Sequence, residues 1–131
     1  MPRGLLDTSV LVAAESGRPM DSDRLPDESA VSPITLAELR VGVLAAVSLE
    51  TRALRVNTLL TADNFELLPI DEAVANAWAL LRVHLAEANR RLNVNDLWIA
   101  ATALANRIPV YTQDDDFEPL ADAPGLEVVR V

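Results

Sequence analysis

The sequence predicts an α/β fold of three layers, α/β/α, with helices on both faces of a central parallel sheet. Three observations carry this. Short apolar segments alternate with helical ones along the chain. Those segments lack a clean in–out alternation, which marks strands buried on both faces. The intervening helices are apolar enough to cover both sides of a sheet. No internal repeat or low-complexity tract breaks the pattern, so residues 1–131 read as a single domain, long enough to bury about two-thirds of its unfolded surface.

Taken in order, Arg3 to Leu6 is the first strand and Ser9 to Glu15 a helix. Pro, Gly and Asp then cluster from Ser16 to Glu28, predicting a long loop with room for a helical turn. A strand follows over 29–32. Ser32 before Pro33 is a strong helix start, an N-cap with proline at the first helical position, so a helix is expected over 33–46 and another over 49–62. A strand over 66–69 leads to a helix over 71–91, where Val74, Trp78, Leu81, Leu85 and Ala88 recur at spacings of four and three as one buried stripe. The remainder reads as a helix over 95–106, a strand over 108–112, a short helix over 115–121 and a strand over 126–130. Asp115 and Glu118 have the spacing of a capping box for the short helix.

Composition excludes several classes. With no cysteine, disulfides, thiolate catalysis and a cysteine-bearing zinc site are ruled out. The N-terminus lacks the apolar core of a signal peptide and no apolar stretch has membrane-spanning length, so a cytoplasmic protein without a membrane partner is expected. The net charge of −9, with all eleven basic residues arginine, argues against an open nonspecific nucleic-acid surface. An enzyme acting on a polyanion would need metal ions to reverse the charge locally, or arginines from a second subunit.

Acidic residues stand where strands end or helices begin: Asp7, Glu38, Asp96 and the run Asp114-Asp115-Asp116. In an open α/β sheet the crevice outside the carboxyl ends of the strands binds ligands. Carboxylates gathered there repel one another unless a cation neutralises them, and Mg²⁺ and Mn²⁺ prefer oxygen ligands. The pattern therefore reads as a metal site for phosphodiester chemistry. Each acid also has a plainer reading. Asp7 is a good helix cap, but Thr8 or Ser9 serves as well. Glu38 suits a solvated helix position, although Leu36, Ala37 and Leu39 around it are apolar. Asp96 opens an otherwise apolar helix, where the dipole favours a carboxylate. In the triplet, Asp115 takes the capping role, leaving Asp114 or Asp116 for the site. His84 reads as a partly exposed surface residue, Trp78 and Trp98 as core, and Arg82, Arg90, Arg91 and Arg107 as solvated helix ends. A phosphate contact by one or two of these arginines is the lesser alternative. Val41, Val43, Val47, Leu59 and Leu60 exceed what one small core needs and suit an interface.

Four blocks in this order, Asp-Thr-Ser-Val-Leu-Val, Ile-Thr-Leu-Ala-Glu-Leu-Arg-Val-Gly, Asn-Asp-Leu-Trp-Ile-Ala-Ala-Thr-Ala and Tyr-Thr-Gln-Asp-Asp-Asp-Phe, resemble PIN-domain ribonucleases over essentially the whole chain. More narrowly, they resemble VapC toxins of bacterial type II toxin–antitoxin systems. The resemblance implies a PIN fold and a Mg²⁺- or Mn²⁺-dependent endoribonuclease. Its metal ligands would be Asp7, Glu38, Asp96 and Asp114, with Asp116 as a further catalytic acid and Thr112 and Asn95 flanking. It also implies an RNA substrate, a small cognate antitoxin and a homodimer. Two other classes compete. An aspartyl-phosphate phosphotransferase generally needs a lysine, which is absent, and a dehalogenase-like phosphatase needs an acid where Ser9 stands. A non-catalytic PIN-like metal-binding module would act through its partner alone.

Overall fold

The structure, a computed structural model, describes residues 2–131. Five strands form one wholly parallel sheet: β1 (Arg3–Leu6), β2 (Glu28–Val31), β3 (Glu66–Leu67), β4 (Val110–Thr112) and β5 (Val128–Arg130), in the order β3-β2-β1-β4-β5. The helices are α1 (Thr8–Ser16), α2 (Pro33–Ala45), α3 (Leu49–Asp63), α4 (Glu72–Glu87) and α5 (Val94–Asn106). The parallel sheet between two helical layers is the architecture the sequence predicts.

The two-residue period of the strands divides the core. Leu5, Ala30 and Val110 pack in one apolar cluster with α4 and α5, where Val74, Leu81, Leu85, Ile99 and Ala100 are buried. Their neighbours Leu6, Val31 and Tyr111 pack in a second cluster with Val10, Leu11, Leu39 and Ala62 of α1, α2 and α3. Adjacent residues thus serve opposite layers, which explains why Leu5-Leu6, Ala30-Val31 and Val110-Tyr111 are apolar at successive positions. Gly4 is required by close approach: a Cβ there would overlap the Tyr111 ring. Trp78 and Trp98 stack with centroids 5.1 Å apart at the margin of the first cluster, in keeping with a core role.

Several expected boundaries move. The helix expected to reach residue 91 ends at Glu87, and the exposed Ala88 leaves the buried stripe. Asn89 turns left-handed at φ 54°, and Arg90 N–H closes the end on the Leu85 carbonyl. The short helix shrinks to a 3₁₀ turn, Glu118–Leu120, and the expected capping box does not form. Asp115 instead pairs its carboxylate with Arg130, and its backbone carbonyl receives Glu118 N–H at 3.0 Å. The Glu118 N–H that the cap would engage is taken by the Asp115 backbone carbonyl, and the Asp115 carboxylate is drawn to the arginine. The long loop does contain a helical turn, Ser22–Arg24. Ser32 caps α2 as expected, its Oγ accepting Ile34 N–H at 3.0 Å. Among the described residues, no helix is long and apolar enough to cross a membrane.

Candidate active site

Topology brings the acids together. Because β1 lies between β2 and β4, the chain leaving β1 meets the chain leaving β4. The register pairs Leu6 with Tyr111, and Asp7 N–H donates to the Tyr111 carbonyl at 2.9 Å. Asp7 therefore stands beside Thr112, past the carboxyl end of the sheet. Asp7 is only 4% exposed; its carboxylate does not cap α1, and neither Thr8 nor Ser9 does so in its place. Asp7 Oδ2 accepts Ser9 Oγ–H at 2.7 Å and Thr112 Oγ1–H at 3.0 Å. Both hydroxyl oxygens accept backbone N–H groups in turn, Ser9 from Gln113 and Thr112 from Asp114, each at 3.0 Å. Each hydroxyl has a single proton, so this arrangement directs both protons to Asp7 and stitches the start of α1 to the loop after β4.

Glu38, one turn into α2, is held from both ends of its carboxylate. Thr8 Oγ1 donates to Oε1 at 2.7 Å, and Asn95 Nδ2 lies 3.4 Å from Oε2. Thr8 Oγ1 is also 3.0 Å from the buried Thr35 Oγ1, so α1, α2 and α5 meet at this carboxylate. Asn93 caps α5 through its side chain, accepting Asn95 N–H at 2.9 Å, and places Asp96 in the helix's first turn.

A cavity of about 380 Å³ opens among these elements, lined by Asp7, Thr8, Ser9, Val12, Arg18, Glu38, Asn93, Asp96, Asp114 and Asp116. All five acids singled out from the sequence as site residues share it, and Asp115 does not. Arg18 is the one cation in this lining. It was hidden in the loop after α1, where only Gly17 gives a local signal. Gly17 adopts φ 71°, and Arg18 N–H then closes the helix on the Ala13 carbonyl at 2.9 Å. Asn93 also escaped notice, since its sequence signal is that of an ordinary cap.

The electrostatics are those of crowded carboxylates. Burial raises the pKa of Asp7; the bonds from Ser9 and Thr112 oppose the rise, while the charge of Asp114 adds to it. Asp96 is pushed up to about 7, first by burial and then by the charges of Asp7, Asp116, Glu38 and Asp114, in that order. Asp114 thus acts on both Asp7 and Asp96, whereas Asp116 acts chiefly on Asp96. The donors are all oxygen, the chemistry a hard divalent cation requires. As placed, no group of three among the described residues closes into a chelating set. The acids share one cavity without converging on one point, as expected of carboxylates that repel one another.

Elsewhere, His84 is partly exposed, as expected, and pairs with Asp122 at 3.1 Å. Arg90 is not simply solvated, because its Nη1 lies 2.7 Å from the same Asp122 Oδ1. Together they hold the Asp122 carboxyl down at about 2. Of the apolar residues in excess of the core, Val41, Val47 and Leu60 are exposed, while Val43 and Leu59 are partly buried.

The PIN-domain family model matches residues 4–123. Ribonuclease VapC5 of Mycobacterium tuberculosis is 53% identical over 128 residues, spanning 98% of this chain and 95% of that protein. Ribonuclease VapC4 of the same organism is 48% identical over 130 residues, spanning 98% and 97%. The crystal structure of VapBC-5 from Mycobacterium tuberculosis, described as a member of the VapBC family of toxin–antitoxin systems, superimposes with a TM-score of 0.93. Its identity is 49%, and both chains are fully covered.

Proposed function

We propose, from the premise that this chain belongs to the PIN-domain family and within it to the VapC group, that it is a divalent-metal-dependent endoribonuclease, the toxin of a toxin–antitoxin pair. The observation that carries the reading is the gathering of Asp7, Glu38, Asp96, Asp114 and Asp116 from four separate parts of the chain around one cavity. So many acids sharing a cavity destabilise one another, and Asp96 bears the mark of it. A cation among them relieves that repulsion, and it also supplies the positive charge that a phosphodiester needs to enter an acidic site.

Asp7, Glu38, Asp96 and Asp114 are the ligands we assign to Mg²⁺ or Mn²⁺. A bound ion would supply Lewis acidity, activating water as nucleophile and neutralising charge on the scissile phosphate and the leaving oxygen. The chain's own groups prepare the site. Ser9 and Thr112 hold the Asp7 carboxylate in place through Oδ2. Thr8 and Asn95 orient Glu38. Asp96, its pKa raised to about 7 by burial and the neighbouring acids, would bind a cation in its deprotonated form. Asp116 joins the field at Asp96 as a further catalytic acid. Partners follow the same premise: Val41, Leu44, Val47 and Leu49, exposed at the α2–α3 turn, suit coverage by an antitoxin or a second copy in a homodimer.

The test is cleavage of total bacterial RNA by antitoxin-free protein, with Mg²⁺, with Mn²⁺ and with chelator, beside Asp96→Asn. Discrete fragments that need metal and vanish in the variant are expected. A folded protein that takes up metal yet cuts nothing would return the non-catalytic module acting through its partner.

A further inference from the structure

On the other side of the α4–α5 connection lies a second cavity, of about 340 Å³, whose character is the reverse of the first. Trp78 and Arg82 of α4, Arg90 and Arg91 of the connection, and Val94 and Leu97 of α5 are among its walls. Three guanidinium groups thus gather in a protein of net charge −9. Arg90 is anchored by Asp122 at 2.7 Å and by the Pro119 carbonyl at 3.4 Å. Among the described residues, neither Arg82 nor Arg91 has a carboxylate within ion-pair distance. Trp78 contributes an apolar ring to the wall, with its indole Nε1–H buried out of reach of solvent.

The first turn of α5 joins the two cavities. Asn93 and Asp96 face the acidic one, and Val94 and Leu97 face the arginine one. One helical turn is about 10 Å across, so a single strand lying over it engages both.

We propose that the arginine cavity is a substrate subsite that holds a backbone phosphate of single-stranded RNA flanking the bond placed in the acidic cavity. This rests on the ribonuclease reading and deepens it. An acidic catalytic cavity attracts a polyanion poorly, so binding strength comes from a neighbouring place where the strand is held and not cut. Guanidinium forks match phosphate oxygens, and the apolar walls strengthen those contacts by excluding water. The apolar walls take the sugar or base. Arg90, tied to Asp122, fixes the connection that carries Arg91.

The experiment compares the full-length protein with an Arg82→Ala/Arg91→Ala double variant and the matching Lys double variant. Both positions are exposed, and thermal melting confirms folding. With Mg²⁺ and a single-stranded oligoribonucleotide, the Ala variant should raise KM about tenfold and leave kcat within about twofold, since charge-assisted contacts are lost outside the chemical step. In an Asp96→Asn background, fluorescence anisotropy of the labelled oligonucleotide should show the same loss of affinity. The salt dependence should become shallower by about 0.7 in log–log slope for each phosphate contact removed. The Lys variant, keeping charge without the fork, should fall between. An Ala variant with wild-type KM, affinity and salt slope would overturn the subsite while leaving the ribonuclease intact, and so would a fall in kcat at unchanged KM. RNA that binds through these arginines but is never cut by the parent protein would overturn the ribonuclease reading instead. No binding at all would overturn the subsite.

Discussion

The two cavities beside the start of α5 make opposite use of the same few residues. On one side five carboxylates line one cavity, and the charges of the other four add to burial in raising the pKa of Asp96. On the other, three arginines line an apolar recess, and among the described residues only Arg90 has a carboxylate partner. Asn93 and Asp96 serve the first, Val94 and Leu97 the second, because residues three apart on a helix share a face and their neighbours do not. A single turn thus separates the proposed catalytic centre, where repulsion is stored, from the proposed holding site, where attraction is. The difference teaches how an acidic protein can work on a polyanion: the affinity and the chemistry need not reside in the same charges.

The largest effect expected from breaking this division is kinetic. Asp96→Asn should lower kcat by about a hundredfold or more, the scale of losing a key electrostatic contact, with little change in KM. Measuring both constants beside the Arg82/Arg91 double variant decides the matter, because equal effects on both constants at both sites would erase the distinction.

Next comes pH. The folded-state pKa of Asp96, about 7, lies above its ordinary value of 3.8, so the folded protein binds that proton more tightly than the unfolded chain. The stabilising contribution is fully present below about pH 4 and is lost as pH rises through about 7. Asp7, also raised, acts in the same direction. Metal-free protein should melt at a lower temperature at pH 8 than at pH 5.5. Mg²⁺ should flatten that dependence, and Asp96→Asn should reduce it. A melting temperature that climbs with pH over this interval would contradict the crowding of the acids.

Smaller still is the effect of removing a support. Thr112 is fully buried, donates to Asp7 and accepts from Asp114 N–H. Thr112→Val should cost about 1–3 kcal/mol in chemical denaturation, because it leaves the part-buried Asp114 N–H and the buried Asp7 carboxylate short of partners. It should also lower cleavage several-fold. The smallest effect belongs to Asp115→Asn. Its carboxylate faces Arg130, away from the cavity, so cleavage should stay within about twofold of the parent. Asp114→Asn and Asp116→Asn should each fall well below it. Loss of activity in Asp115→Asn alone would reverse the assignment within the triplet.

Much of this was legible beforehand. The strands, the five long helices, the Ser32 cap and the five cavity acids follow from patterns a few residues long. Less legible were the end of α4 at Glu87, the absent capping box and the roles of Arg18 and Asn93. Asn89 carries only a weak stop signal, and its left-handed turn forms where tertiary packing ends the helix. The capping box failed because Asp115 found Arg130, fifteen residues away. Arg18 and Asn93 look like ordinary loop and cap residues until the topology places them at the cavity rim.

The sequence by itself determined which segments form strands and helices, that both sheet faces would be covered, and that acids would stand at the strand ends. These are matters of local periodicity and propensity, settled by neighbours along the chain. Only the tertiary structure decided that Asp7 meets Thr112, 105 residues away, that Asp114 and Asp116 line the cavity while Asp115 does not, and that three arginines gather beside the same helix that presents Asp96. Strand order is the physical reason. Placing β1 beside β4 is a non-local choice, fixed by burying both core clusters at once, and side-chain partners across such a pairing leave no trace in local sequence.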